Sequence, residues 1–151
     1  MKIRFIVGLS NWGKTTCIKK MVGVNEKVLV TTYKNKYRVL QVGNKKIMIL
    51  QYSNCDLGLH EFIKRLMALL DQYQQNSEVD FVLVALCCSS IEDMSQILDK
   101  VKEKGSFDVE LVFLEKHWDG VAQLCVDDIC NNLKAKKHNF STEIIASSRD
   151  C

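Results

Sequence analysis

The stretch Gly8-Leu9-Ser10-Asn11-Trp12-Gly13-Lys14-Thr15 decides the fold of this chain, and a second threonine, Thr16, follows it. It fits the phosphate-binding pattern G-x-x-x-x-G-K-[ST] without a mismatch. An apolar run over residues 3–7 predicts a buried strand before it, and apolar residues at helical spacing predict a helix after it. In this order, loop N–H groups and the positive end of the helix dipole can bind phosphate together.

The side chains of this loop, residues 8–15 and called the P-loop below, predict a nucleotide site. Lys14 is expected to reach the β- and γ-phosphates, and the Thr15 hydroxyl to hold Mg²⁺. We expect Lys14 to lie at the surface, so that its removal spares the fold. The alternative is an ordinary glycine-rich turn in which Lys14 is simply solvated. The predicted phosphate-contacting residues are Ser10, Asn11, Trp12, Gly13, Lys14, Thr15 and Thr16.

Length and composition predict a single domain over residues 1–151, because 151 residues of which 47% are hydrophobic can enclose a sizeable core. The net charge is only +3, and no basic run carries interleaved aromatic residues, so nucleic acid is not an expected partner. No apolar stretch approaches the roughly 20 residues that span a bilayer. The chain begins with Met1-Lys2 and a strand, so we expect neither a signal peptide nor N-myristoylation, and membrane contact only through a partner.

The seven cysteines show no C-x-x-C pair and no metal-ligand spacing. Several fall on apolar faces, so we expect buried, reduced thiols in a cytoplasmic protein rather than disulfides or a metal site. Cys151 lacks a C-a-a-X box and is expected to be an ordinary thiol. The histidines His60, His117 and His138 are expected to be polar surface residues.

Strands and helices alternate along the chain. Predicted strands cover residues 28–32, 37–42, 46–52, 79–86, 109–114 and 143–146. Apolar residues at helical spacing predict helices over 17–22, 59–73, 91–101 and 121–133, the first ending near Gly23 and the third closed by Gly105. Gly43-Asn44 predicts a hairpin, and Ser89 with Glu92 predicts a capping box. The pattern favours an α/β, three-layer P-loop NTPase fold: a mostly parallel six-stranded sheet with one antiparallel edge hairpin and helices on both faces. The ligand is then expected at the carboxyl ends of the strands.

Residues 8–16 resemble the G-L-D-x-x-G-K-T-T opening of the ADP-ribosylation-factor (Arf) family of small GTPases. That family places a switch-one threonine about 18 residues after the loop lysine, and here 32 − 14 = 18 reaches Thr32. Residues 50–55, called the switch-two segment, fall where the family has W-D-V-G-G-Q. Residues 112–116 fall where it has V-F-x-N-K, and residues 146–148 fall at its base-contacting loop.

The resemblance implies Mg²⁺-dependent binding of GTP and GDP with weak hydrolysis, in a switch or adaptor for protein partners. Effectors would dock on segments 28–36 and 51–58. Thr32 would join Thr15 at the metal and Lys14 at the γ-phosphate. Gln51 stands where the family has a metal-supporting aspartate, and Cys55 where it has the glutamine that orients water. A cysteine cannot donate and accept like a carboxamide, so we expect slow hydrolysis.

Next to the switch-two segment, Asp56 has two interpretations, an approach to Mg²⁺ or a helix N-cap.

The resemblance also implies that Lys116 and Asp119 read a guanine base, with support from Ser147 and Ser148. Lys116 matches the family, but Asp119 comes one residue late in the sequence. Either the loop bulges and brings Asp119 to the base, or Trp118 occupies that place and guanine selectivity is lost.

Two alternatives to a GTP-dependent switch remain. The first is a pseudo-GTPase, a binding module that keeps the fold without a catalytic cycle. The second is a small P-loop kinase, which would need several arginines around the transferred phosphoryl group. The chain also lacks the family's C-terminal helix, which predicts an uncovered flank of the sheet or a trimmed sequence. The only arginines are Arg4, Arg38, Arg65 and Arg149.

Overall fold

The structure is a computed structural model that describes residues 1–23, 32–33 and 36–151, with the backbone alone for residues 32 and 33. The strands are β1 Lys2–Gly8, β2 Thr32–Tyr33, β3 Lys36–Tyr37, β4 Leu40–Val42, β5 Lys45–Leu50, β6 Phe81–Cys87, β7 Asp108–Leu114 and β8 Ser141–Ile145. The helices are α1 Lys14–Val22, α2 Asn54–Leu57, α3 Leu59–Gln74, α4 Ile91–Lys104 and α5 Val126–Ala135, and a 3₁₀ turn covers Ser148–Asp150.

Six strands form one sheet in the order β4-β5-β6-β1-β7-β8. In this sheet, as far as the described residues go, only β4 runs antiparallel to its neighbour, and Gly43, at φ 60°, makes the tight turn that joins β4 to β5. The other pairs are parallel, with β1 between β6 and β7. This order confirms the predicted α/β fold class with a six-stranded sheet and one antiparallel edge hairpin.

Helices cover both faces of the sheet, as predicted, because apolar side chains alternate in direction along the buried strands. In β1, Phe5 belongs to the core under α3, α4 and α5. Its neighbour Ile6 belongs to the core under α1. Among the helices of the described residues, none has the length and apolar character needed to cross a bilayer.

Several strand and helix boundaries in the structure differ from the predicted ones. The predicted strand 28–32 lies outside the described residues except for Thr32, which begins β2. The predicted strand 37–42 is interrupted, because Lys36–Tyr37 pairs with β2 in a separate two-stranded sheet while Leu40–Val42 pairs with β5. The helix predicted from residue 121 begins only at Val126, because residues 122–124 pair back onto residues 115–117, with the Leu124 N–H donating to the Glu115 carbonyl at 2.7 Å.

The N-cap of α4 lies one residue later than the predicted capping box places it. The pattern of serine followed three residues later by an acid occurs twice in succession, as Ser89 with Glu92 and as Ser90 with Asp93. Helix α4 uses the second copy, in which Ser90 Oγ accepts a hydrogen bond of 3.2 Å from the Asp93 N–H. Ser89 Oγ instead lies 3.4 Å from the sulfurs of Cys55 and Cys87.

Four of the seven cysteines form disulfides, so the prediction of reduced thiols is wrong. Cys17 on α1 is bonded to Cys151, and Cys55 on α2 is bonded to Cys87 at the end of β6. The Cα atoms of the pairs are 5.3 Å and 5.9 Å apart, within the usual range for disulfides. The cytoplasmic location that depended partly on reduced thiols stays a prediction. The remaining thiols are Cys88, Cys125 and Cys130.

The strip of sheet beyond α1, near the amino ends of β1 and β7, is polar. Arg4 Nε lies 2.8 Å from a carboxylate oxygen of Glu110, and Lys2 Nζ lies 3.4 Å from the other. Glu143 of β8, which pairs with β7, is exposed. The contact between Arg4 and Glu110 is largely buried, and the uncovered flank stays a prediction.

His138 is buried at 7% exposure, which corrects its predicted surface position. Its Nε2 lies 2.8 Å from Ser95 Oγ and 3.9 Å from Asp99 Oδ1 on α4. Burial lowers the pKa of His138, and the positive charges of Lys102 and Lys136 lower it further, against the opposing charge of Asp99.

We therefore expect the protein to lose stability as the pH falls below about 6.5, the ordinary histidine pKa. There the unfolded chain binds the proton at His138 while the folded protein, with its lowered pKa, still resists it. The loss is complete once the pH falls below the folded pKa. Urea unfolding at a series of pH values should show a shallower pH dependence for His138→Gln than for wild type. Identical slopes would show that His138 does not contribute.

Candidate functional site

The P-loop joins β1 to α1 with two residues in the left-handed region, Asn11 at φ 64° and Gly13 at φ 83°. The Trp12 N–H donates to the Leu9 carbonyl at 3.2 Å, which closes the turn between them. Gly13 is the N-cap of α1 and supplies no side-chain hydrogen bond to it. The first N–H groups of a helix have no intrahelical partner, so they are available to an anion at this place.

Lys14 lies inside the loop rather than at the surface, because it is only 6% exposed. Its Nζ donates a hydrogen bond of 2.7 Å to the Leu9 carbonyl. Burial lowers the pKa of Lys14, while the negative charge of Asp56 opposes that shift. The ammonium group is thus held in the loop and is poorly solvated, which strengthens its attraction for an anion.

A cavity of about 200 Å³ lies beside the loop. Five of the predicted phosphate-contacting residues line it, and the sixth lining residue is Asp56. Ligand pockets for whole small molecules usually measure about 300–1,000 Å³, so this cavity suits phosphate groups rather than a complete nucleotide. The lining residues are Asn11, Gly13, Lys14, Thr15, Thr16 and Asp56.

Two predicted contacts are not in this cavity. Ser10 is exposed and does not line it. Trp12 is 4% exposed and packs into the core under α1, with its ring edge-on to His117 at a centroid distance of 6.0 Å. The side chain of Trp12 therefore serves the core.

The loop near the end of the chain packs directly on the P-loop. A Cβ atom at Gly13 would lie 2.6 Å from Ser148 Cβ and Oγ, so the close approach requires glycine there. Ser148 is buried, and its carbonyl accepts a hydrogen bond of 2.9 Å from Lys20 Nζ. Ser147 Oγ accepts from the Arg149 N–H at 3.2 Å and caps the 3₁₀ turn. Both predicted serines therefore shape the wall next to Gly13.

The predicted base-reading loop lies next to this wall, because the Lys116 N–H donates to the Ala146 carbonyl at 2.9 Å. At its tip, Asp119 Oδ1 accepts from the Val121 N–H at 2.9 Å and lies 2.7 Å from His117 Nδ1. The Val121 N–H, with a smaller contribution from His117, lowers the pKa of Asp119. One carboxylate oxygen of Asp119 is thus already hydrogen-bonded within its own loop.

Trp118, the alternative to Asp119 at the base-reading position, lies in the same loop. Trp118 is 45% exposed, and its ring centroid lies 4.6 Å from that of His117. The Arg149 guanidinium carbon lies 5.7 Å from the centroid of the Trp118 ring. Asp119 and Trp118 are thus adjacent in one loop, and the choice between the two alternatives stays a prediction.

The switch-two segment approaches the P-loop although β6 separates β5 from β1. The Thr15 hydroxyl donates to the Gln51 carbonyl at 3.0 Å. The Asn54 side chain exchanges two hydrogen bonds with the Cys87 backbone, at 2.8 Å and 3.2 Å. Cys55, bonded to Cys87, has no thiol proton with which to position a water molecule.

Asp56 takes part in the capping box of α2, whose N-cap is Ser53, and its approach to Mg²⁺ stays a prediction. Its carboxylate accepts hydrogen bonds from Ser53, at 3.0 Å from N and 3.2 Å from Oγ, and so caps α2. The same side chain lines the P-loop cavity. The predicted site did not include Asp56, although the sequence places it directly after the switch-two segment.

The backbone of Thr32 lies away from the P-loop. The side chain of Thr32 is outside the described residues. It pairs with Tyr37, whose N–H donates to Gln72 Oε1 at 2.9 Å near the end of α3. At 1.5 Å per residue, Gln72 lies about 20 Å along α3 from Leu59, the end nearer the P-loop. The metal role of Thr32 stays a prediction.

No protein-family model matches this chain, and no curated protein matches it. Among solved structures, the chain is similar to a de novo designed protein with a P-loop NTPase fold, determined by solution NMR. The two are 10% identical, the match covers 99% of this chain and 83% of the designed one, and the TM-score is 0.48. The sheet order and the P-loop geometry therefore carry the assignment of the fold.

Proposed function

We propose that this chain binds a guanine nucleotide with Mg²⁺ through its P-loop, hydrolyses GTP slowly, and acts as an Arf-like switch or adaptor for protein partners. The observation that carries the proposal is the buried ammonium of Lys14, held in a cavity that Thr15 and the first turn of α1 also border. A buried cation beside free helix N–H groups favours a multiply charged anion.

The residues at the cavity fit a Mg²⁺ ion. Thr15 and Asp56 both line it and offer a hydroxyl and a carboxylate, the hard oxygen ligands that Mg²⁺ prefers. When bound, Mg²⁺ would neutralise part of the phosphate charge. Lys14, which lines the same cavity, would supply further positive charge.

Slow hydrolysis is supported by the bond between Cys55 and Cys87. Positioning the attacking water is a large part of what such enzymes contribute to phosphoryl transfer, and a disulfide sulfur cannot do it. The same observation favours a second candidate function, a pseudo-GTPase that binds nucleotide without a catalytic cycle.

A kinase is less well supported by the arginine positions. Arg4 pairs with Glu110 near the amino end of β1, opposite the P-loop, and Arg65 pairs with Glu61 on α3. Arg149 is near the P-loop, but it lies over Trp118. These three side chains do not converge on the cavity.

Effector docking on residues 51–58 is supported by Tyr52, which is 47% exposed. An aromatic side chain exposed beside a nucleotide site is a common anchor for protein partners. Most of the other proposed docking segment, residues 28–36, lies outside the described residues.

Base recognition is proposed at Lys116 and Asp119, because their loop contacts the Ser147–Ser148 wall beside the P-loop. We expect it to be weak, since Asp119 Oδ1 already accepts from the Val121 N–H. GTP should then bind more tightly than ATP or XTP, but by no more than about tenfold, the equivalent of about one neutral hydrogen bond.

Competition against a fluorescent GDP analogue measures this directly. A preference for GTP of more than about 100-fold would show that the loop reads guanine strongly. Failure of all three triphosphates to bind in the presence of Mg²⁺ would contradict the proposed function itself.

A further inference from the structure

Asp56 introduces a negative charge into the cavity that the proposed function assigns to phosphate. It is close enough to Lys14 for its charge to oppose the fall in the pKa of that lysine. A carboxylate at this place repels a polyphosphate unless a divalent cation lies between the two groups. This arrangement therefore favours a site that binds its anion together with a metal ion.

Resting on the proposed function, we infer that Asp56 makes nucleotide binding at the P-loop conditional on a divalent cation. It would support the Mg²⁺ ion, directly or through a bound water, in place of the aspartate that the Arf resemblance would put at Gln51. The backbone carbonyl oxygen of Gln51 accepts a hydrogen bond from the Thr15 hydroxyl. Asp56 thus attracts the metal–nucleotide complex and repels the free nucleotide.

The position of Asp56 is fixed by three sets of contacts around α2. Asn54 bonds to both backbone groups of Cys87, and Cys55 is covalently linked to Cys87. Cys87 pairs in turn with Gly8, the first residue of the P-loop. The Asp56 carboxylate is oriented by its bonds to Ser53. These contacts tie the carboxylate to the loop that it would serve.

The test is a comparison of wild type and Asp56→Asn by calorimetric titration with GDP, once with excess Mg²⁺ and once with EDTA. With Mg²⁺, Asp56→Asn should bind at least about tenfold more weakly, since loss of a carboxylate that supports a metal typically costs about 10–100-fold in metal affinity. With EDTA, the variant should bind as well as wild type or more tightly, because the repulsion has been removed. The inference therefore predicts opposite effects in the two buffers.

Ser53→Ala is the matched control, because it removes one hydrogen bond to Asp56 and keeps the charge. It should retain most of the Mg²⁺ dependence of wild type. An equal loss of affinity in both buffers for Asp56→Asn would show that Asp56 acts only by capping α2, and unchanged affinity in both would remove it from the site. Either result overturns the inference.

A second measurement follows the metal itself. Electron paramagnetic resonance of Mn²⁺ with GDP should show bound metal in wild type and a reduced bound fraction in Asp56→Asn. If wild type binds no GDP in either buffer, the proposed function fails. If wild type binds GDP and the two variants behave alike, only the role of Asp56 fails.

Discussion

Lys14→Met is expected to weaken nucleotide binding by at least about 100-fold, because one charge-assisted hydrogen bond is worth about 1.5–3 kcal/mol and the lysine would face two phosphates in the proposed complex. Methionine is a better replacement than alanine, since Lys14 is buried and a shorter side chain would leave a void. The stability of the ligand-free protein should change little. Methionine removes a desolvated charge but also the donor to the Leu9 carbonyl, and these two effects oppose each other.

Calorimetry with GDP and Mg²⁺ measures the affinity, and thermal unfolding without nucleotide measures the stability. Lys19→Met is the matched control, because Lys19 lies on the same helix but does not line the cavity. If Lys14→Met bound GDP as well as wild type, the P-loop would not be the phosphate site.

Among the substitutions proposed for this protein, Cys151→Ser is expected to reduce the free energy of unfolding most, because the bond to Cys17 spans 134 residues of sequence. Cross-linking a loop of this length reduces the entropy of the unfolded chain by an amount worth about 5 kcal/mol at 25 °C. The bond also attaches the 3₁₀ turn Ser148–Asp150 to α1, beside Gly13. Denaturant unfolding in non-reducing buffer should therefore show a loss that approaches this value, which is a large share of the stability of a typical domain.

Cys125→Ser provides the control, because Cys125 is an exposed free thiol. It should unfold like wild type. Alkylation of the unfolded, unreduced protein should label three cysteines, namely Cys88, Cys125 and Cys130. Labelling of all seven, or equal unfolding curves for the two serine variants, would contradict the role of the disulfide.

Much of the fold could be predicted from local sequence, because strand and helix periodicity and glycine turns act over short distances. Helix α3 was predicted to within one residue of its end at Gln74, and the left-handed Gly23 ends α1 as expected. The Gly43 hairpin was predicted from its turn alone. Where two local signals competed, as in the successive caps at Ser89 and Ser90, the wrong one was chosen.

The candidate site was likewise predictable from the sequence only in part. The P-loop was recognisable because its chemistry needs particular residues at consecutive positions, and five of them line one cavity. The burial of Lys14 and the position of Asp56 at the cavity were not predictable from spacing. Both depend on how α2 and the neighbouring strands close over the loop.

The sequence by itself determined the alternation of most strands and helices, the P-loop pattern between β1 and α1, and the α/β class, since each depends on neighbours within a few turns of chain. Tertiary structure alone decided that β6 lies between β1 and β5, that Cys17 meets Cys151, and that Cys55 meets Cys87. Disulfide partners cannot be read from the spacing of seven cysteines, because pairing depends on distance in the folded chain. For the same reason, the carboxylate at the cavity became visible only once α2 was placed against the P-loop.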